Sequence, residues 1–217
     1  MMQAHDITKR IFIGQDTPYL DALAQQEAAV AALSEGKAGQ IIFFCEHTPV
    51  YTAGTSAPEA DYIGGTEIPV IKTGRGGRFT YHGPGQRVVY PIVDLKARNR
   101  DLRAYVCDLQ KWLIATLKDF GIDAYTRDEV GVWVNTPLGA EKIAAVGVRV
   151  RKWVAFHGIA LNIHPDMAHF KGIVPCGISD KGVTSFHKLG ITTTMDEVDA
   201  RLAHHFERIF NTRLTDV

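Results

Sequence analysis

Residues 74–90 read GRGGRFTYHGPGQRVVY, and the rest of the chain reads as a scaffold built to hold this stretch. Five glycines (Gly74, Gly76, Gly77, Gly83, Gly85) are broken by Arg75, Arg78, His82 and Gln86, so the backbone can approach a ligand while polar side chains orient it. A flexible linker would be richer in serine and would not run straight into the apolar segment 88–95. A structural turn between strands is the competing reading, against which stands the density of donors around Thr80 and Tyr81. Phosphate cradling fits poorly: the Gly-Lys-Ser/Thr ending of a P-loop is missing and no helical pattern follows directly.

The flanks of this stretch read as strands, 67–72 leading in and 87–93 leading out. Upstream, Thr17 and Pro18 form a helix start, with Thr17 as cap, and Leu20, Leu23, Val30 and Leu33 supply helical spacing up to Gly36. QIIFFC (40–45) is an apolar run of strand type that places Cys45 in the core. His47 follows on a strand-leaving loop. Downstream, Asp101 caps a helix with the stripe Leu102, Tyr105, Leu109, Leu113 and Leu117, ended by Gly121, with Cys107 inside it as packing or bystander. Short strand candidates at 123–126 and 131–135 follow. Thr194 and Glu197 make a capping box for a last helix running to about Phe210, on which His204 and His205 read as solvated.

Two strands between these helices carry candidate site residues. In residues 141–150, strict alternation sets Lys142, Ala144, Val146, Val148 and Val150 on one face, and Ile143, Ala145, Gly147 and Arg149 on the other. A lysine heading an otherwise apolar row either snorkels past the strand end or is held partly desolvated. WVAFHGIALNI (153–163) reads as the adjacent antiparallel strand, with His157 on the face of Ala155, Ile159 and Leu161, either a satisfied core histidine or a site residue beside Gly158. Cys176, between Pro175 and Gly177, is the one cysteine placed to react.

Composition narrows the classes. At 217 residues and 46% hydrophobic the chain suits one domain with a full core. Lys+Arg and Asp+Glu balance at 24 each, so no global field draws it to nucleic acid or to an anionic membrane. The start MMQAHDITKR lacks a signal-peptide core, no apolar run reaches a membrane span, and three cysteines suit a reducing compartment, so a cytoplasmic protein is expected. No His/Cys pair has metal-ligand spacing, so neither metal nor cofactor is expected.

If Cys176 and Lys142 meet, a thiol of reference pKa ~8.5 beside an amine of ~10.4 yields a thiolate and ammonium that titrate as a unit. Such a pair suits acyl transfer: the thiolate attacks a thioester, and the lysine shuttles protons for leaving thiol and incoming amine. The blocks RGGRFTYHGPGQRVVY, EKIAAVGVRVRKWVAFHGIALNI and IVPCGISDKGVTSF, with EHTPVYTAG before them, resemble the lipoyl(octanoyl) transferase family over core motifs 46–186. That resemblance implies an α+β domain over 1–217, a mixed β-sheet flanked by helices as in biotin and lipoate protein ligases. It implies transfer of octanoyl from octanoyl-acyl carrier protein to a lysine of lipoyl domains, those of 2-oxoacid dehydrogenases and of the glycine cleavage H protein, as the first step of endogenous lipoate synthesis. It carries the nucleophile onto Cys176 and its pKa-lowering partner onto Lys142. It carries substrate binding onto Arg75, Gly76, Gly77, Arg78, Phe79, Thr80, Tyr81 and His82, onto Ala145, Val146 and Gly147, and onto Gly158, Ile159 and Ala160. His47 and His157 are additions from the residue reading. An ATP-dependent lipoate or biotin ligase of the same fold, a non-catalytic acyl or lipoyl-domain binding protein, and a Cys/His hydrolase remain as alternatives.

Overall fold

The computed structural model of the chain describes residues 7–65, 67–174 and 182–217. Strand β1 (Ile7–Thr17) runs straight into helix α1 (Tyr19–Ser34) at Pro18. Thr17, expected to cap that helix, is instead the last residue of β1, and no side chain caps α1. QIIFFC extends by two residues into β2 (Gln40–His47), and three short strands follow: β3 (Val50–Ala53), β4 (Val70–Lys72) and β5 (Phe79–His82). The chain then passes through β6 (Gln86–Asp94), α2 (Leu102–Lys118), β7 (Ala124–Tyr125), β8 (Val132–Thr136), β9 (Gly139–Arg151), β10 (Val154–Asn162), β11 (Gly182–Val183), α3 (Met195–Phe210) and β12 (Arg213–Asp216).

Among the described residues nine strands form one mixed sheet in the order β12-β1-β2-β6-β10-β9-β8-β7, with β11 added parallel to β9. β1 lies parallel to both β12 and β2, and the pairs from β2 to β7 are antiparallel. Alternation along β6 sorts the two faces. Val88, Tyr90 and Ile92 pack with Ala22, Ala29 and Val30 of α1. Val89 and Val93 pack with α2 and α3, around the fully buried Trp112, whose indole N–H donates to Leu202 O at 2.7 Å. Helices on both faces of a mixed sheet are the expected α+β architecture.

The helix signals at Asp101 and Thr194 hold: Asp101 accepts from Ala104 N, and Thr194 and Glu197 form the full capping box. Such reciprocal caps satisfy amides that the first turn leaves unpaired. His205 departs from expectation, being buried with Nε2 2.9 Å from an Asp119 oxygen while His204 stays exposed. Cys45 is buried as expected, and Cys107 is exposed on α2. No helix among the described residues is long and apolar enough to cross a membrane.

Candidate active site

The glycine stretch is more structured than a turn. Phe79–His82 is β5, paired antiparallel with β3 from Val50↔His82 to Ala53↔Phe79, and β4 lies parallel on the other side of β3. Gly76 N donates to Val148 O at 3.0 Å, which fastens the loop to β9. Arg75 is buried, and its guanidinium donates to Thr52 O at 2.8 Å, to Thr52 Oγ1 at 2.7 Å and to Gly76 O at 3.0 Å. The loop is thereby held in one shape by its own arginine.

Between this loop, α1, β6, β9 and β10 lies a cavity of about 320 Å³. Arg75, Gly76, Gly77, Arg78, Phe79, Thr80 and His82 line one side; Ala145, Val146 and Gly147, with Gly158, Ile159 and Ala160, line the floor, and Lys142 and His157 also face it. Tyr81 and His47 are not on its walls. Tyr81 packs behind β5, its hydroxyl 2.7 Å from His169 Nδ1, in the small cluster with Phe170 and Ile173. Tyr19, Ser56, Glu129 and Val130 line the cavity too, and no sequence signal singled them out.

Alternation misplaced two of these residues, and each error has a local cause. The β8/β9 register reads Val132↔Ala144 and then Trp133↔Lys142, so β9 carries one extra residue at Ile143. The bulge sends Ile143 and Ala144 both into the α2 side of the core and puts Lys142 on the cavity wall with Ala145 and Gly147, not in the row of Val146 and Val148. Buried Lys142 donates from Nζ to Val130 O at 3.0 Å and stands 4.6 Å from the Trp133 ring centroid. Room for it depends on Gly131: a Cβ there would lie 2.9 Å from Lys142 Cε, at a φ of +136° that suits glycine.

His157 is turned by its own backbone. Its φ of +58° is a left-handed conformation for a non-glycine residue in mid-strand, and it breaks the alternation of β10. The ring stacks on Phe156 at 4.9 Å and faces the cavity, while the backbone N–H of His157 donates to Gln26 Oε1 of α1 at 2.9 Å. Among the described residues neither ring nitrogen finds a hydrogen-bond partner, which overturns the reading of a satisfied core histidine. Gly158 allows the turn to nest against β6, since a Cβ there would lie 2.3 Å from Val89 O.

A neutral polar cluster closes this end. His47 Nδ1 lies 2.8 Å from Thr17 O, so it carries the proton, and Nε2 accepts from the Tyr90 hydroxyl at 2.7 Å. His82 Nδ1 lies 2.7 Å from Gln86 Oε1, and the Gln86 amide donates to Tyr81 O and Asn162 Oδ1. Burial pushes His47 down to about 4 and His157 down to about 3, the latter helped by Arg75 and Arg149, and holds His82 well below the usual range. Burial also lifts Tyr19 to about 12 and Tyr90 well above its usual value. All five groups are uncharged near neutral pH.

Cys176 lies outside the described residues, in the segment 175–181. On its far side β11 pairs Val183 with Lys142, and Thr184 N donates to Lys142 O at 3.0 Å.

The family model of the lipoyl protein ligase A/B catalytic domain matches residues 18–207. The octanoyltransferase of Parvibaculum lavamentivorans is 56% identical over 198 residues, covering 89% of this chain and 88% of that protein. The chain belongs to the lipoyl protein ligase A/B catalytic-domain family, among its octanoyltransferases. The transferase resemblance read from the sequence, and with it the expectation of an acyltransferase, is borne out. The transferase fold also matches the bi-partite lipoate protein ligase of Thermoplasma acidophilum, with a TM-score of 0.71 at 15% identity over 98% of this chain and 87% of that one. A biotin acetyl coenzyme A carboxylase synthetase from Helicobacter pylori matches at 0.52 and 12% identity over 93% and 74%. These two bear on the fold alone.

Proposed function

We propose that the transferase moves an octanoyl group from octanoyl-acyl carrier protein to a lysine of a lipoyl domain, through an acyl thioester on Cys176. The Cys176 thiolate attacks the carbonyl carbon of the donor thioester, and the carrier thiol leaves with a proton from Lys142. The acceptor lysine then attacks the acyl-enzyme carbonyl, gives its proton to Lys142, and expels Cys176 as thiolate with an amide formed. A thioester arrives already activated, so the cycle requires no ATP. The acceptors are the lipoyl domains of 2-oxoacid dehydrogenases and the glycine cleavage H protein, in the cytoplasm, at the first step of lipoate synthesis.

The observation that carries this reading is Lys142, turned into the cavity by the bulge at Ile143. Its strand pairs with the one that follows Cys176 in the chain. Val88, Val146 and Ile159 on the walls suit an alkyl chain, and burying roughly seven carbons at ~0.8 kcal/mol each contributes about 6 kcal/mol. Arg75, Thr80, His82 and the glycines are the residues that position the donor.

Intact-mass measurement after incubation with octanoyl-acyl carrier protein is expected to give one octanoyl adduct, lost in Cys176→Ala; an adduct persisting in that variant rejects the nucleophile. Lys142→Ala is expected to slow alkylation of Cys176 near neutral pH, and equal rates remove Lys142 from the mechanism. Adenylate formed from free octanoate and ATP would point to ligase chemistry instead.

A further inference from the structure

We infer that the cavity end at His157 is a polar subsite that limits acyl chain length, accepting a hydrogen-bonding group and excluding an alkyl terminus. This rests on the acyl-transfer reading above. The ring of His157 faces the cavity, is 2% exposed, and has no hydrogen-bond partner at Nδ1 or Nε2. Gln26 Nε2, on the amide that fixes the His157 backbone, is equally buried and unpartnered. Three polar atoms without partners among the described residues, all close to His157, are not how a core settles, because a buried polar group left unpaired loses the hydrogen bonds it had in water. The ring is also held there against its own backbone preference, at a φ of +58°. Burial keeps it neutral, so it holds one N–H donor and one lone-pair acceptor at the cavity wall.

The position of the ring along the strands converts this into a length. His157 pairs with Val148, and Gly158 with Gly147, five residues along β9 from Lys142. With one of those residues taken up in the bulge, the run from Lys142 to Gly147 is about 13 to 16 Å at ~3.3 Å per residue. An extended eight-carbon chain is about as long as three residues of extended backbone, roughly 10 Å. With its carbonyl beside Lys142, an octanoyl methyl stops short of the imidazole, over Ala145 and Val146. Ten carbons or more bring an alkyl end against the unpaired nitrogens, where it cannot satisfy them and would expel any water that does. A hydroxyl at the end of a ten-carbon chain can satisfy them.

The test compares kcat/KM for octanoyl, decanoyl, dodecanoyl and 10-hydroxydecanoyl thioesters in the wild-type protein and in His157→Leu and His157→Asn. The wild type is expected to prefer octanoyl to decanoyl and to use 10-hydroxydecanoyl about tenfold better than decanoyl. In His157→Leu the decanoyl to octanoyl ratio is expected to rise about tenfold and the preference for the hydroxylated chain to vanish. His157→Asn, polar and tolerant of the left-handed backbone, is expected to keep that preference. A merely structural role would lower every substrate alike and leave the ratios unmoved, and unmoved ratios overturn the inference. So does a wild type that favours decanoyl over 10-hydroxydecanoyl, whether or not the variants fold. A wild type that forms no octanoyl adduct at all would break the acyl-transfer reading, a different outcome.

Discussion

Two buried polar clusters sit back to back on β6, one residue apart. On the α1 face, beside Val88 and Tyr90, His47, His82 and His157 are uncharged and face or back the cavity. On the opposite face Arg87, 1% exposed, donates from Nε to Asp199 of α3 at 2.7 Å and lies over the Phe12 ring at 5.2 Å. The histidines of the first cluster stay neutral because burial strips water from the charged form, and for His82 and His157 the nearby Arg75 charge opposes protonation further. The second fastens α3 to the sheet through a guanidinium and a carboxylate in direct contact, although burial raises the Asp199 carboxyl to about 6. The sheet separates a cluster of neutral histidines, set beside the cavity cations Arg75 and Lys142, from a buried ion pair.

The largest test of this division is Asp199→Ala. It leaves the Arg87 guanidinium buried without its carboxylate, and is expected to lower unfolding stability by about 3 to 5 kcal/mol in urea titration. The chain-length profile should not move; if it does, the two faces are not independent. Next is acid response, where the clusters have opposite signs. His47 and His157 are depressed from 6.5 to about 4 and about 3, so the stability they contribute is present above 6.5 and lost as pH falls below it. By pH 4 that loss is about 3 kcal/mol for each at 1.36 kcal/mol per unit. Asp199 is raised from 3.8 to about 6, chiefly by burial and against the pull of Arg87, so its contribution is present below 3.8 and lost as pH rises through 6. Between pH 6 and pH 4, then, His157→Leu should flatten the acid decline of the melting temperature and Asp199→Asn should steepen it; the reverse pattern breaks the assignment.

A smaller effect comes from Tyr90→Phe, which leaves buried His47 Nε2 only the weak Cys45 thiol at 3.7 Å and should cost about 1 to 2 kcal/mol. Smallest is Thr194→Ala. It removes half of the capping box that starts α3, the helix bearing Asp199, and about 1 kcal/mol of stability should go with it, with transfer activity intact. A loss of activity there would tie the fastening face to catalysis.

Much of this architecture is legible in the residues. The stripes of α2 and α3, their caps, and the apolar runs of β2, β6 and β10 all follow from period and punctuation. β1 and β12 escape because they lie at or near a sheet edge and stay half exposed, leaving no apolar run to read. In the small sheet β4 falls within the strand read at 67–72, but β3 and β5 escape because VYTA and FTYH are four residues each, shorter than any period can declare. At the site, the glycine stretch and the order of the blocks pointed to Arg75, His82 and Lys142 through resemblance, but alternation put Lys142 and His157 on the wrong face. A bulge inserts one residue and a left-handed residue turns one side chain, and either flips parity without changing composition. Gly158 beside His157 was the visible hint; nothing in IAAVG announces a bulge at Ile143.

The ammonium of Lys142 resting 4.6 Å from the Trp133 ring centroid gives the site a built-in optical probe. Of the three tryptophans, Trp112 is sealed under α3 and Trp153 sits at an outer turn, so only the Trp133 indole feels a cavity charge come and go. On the proposed cycle, proton transfer to or from that amine would change the field on the indole, and stopped-flow emission from the unlabelled protein is expected to time each turnover, with Trp133→Phe as the dark control.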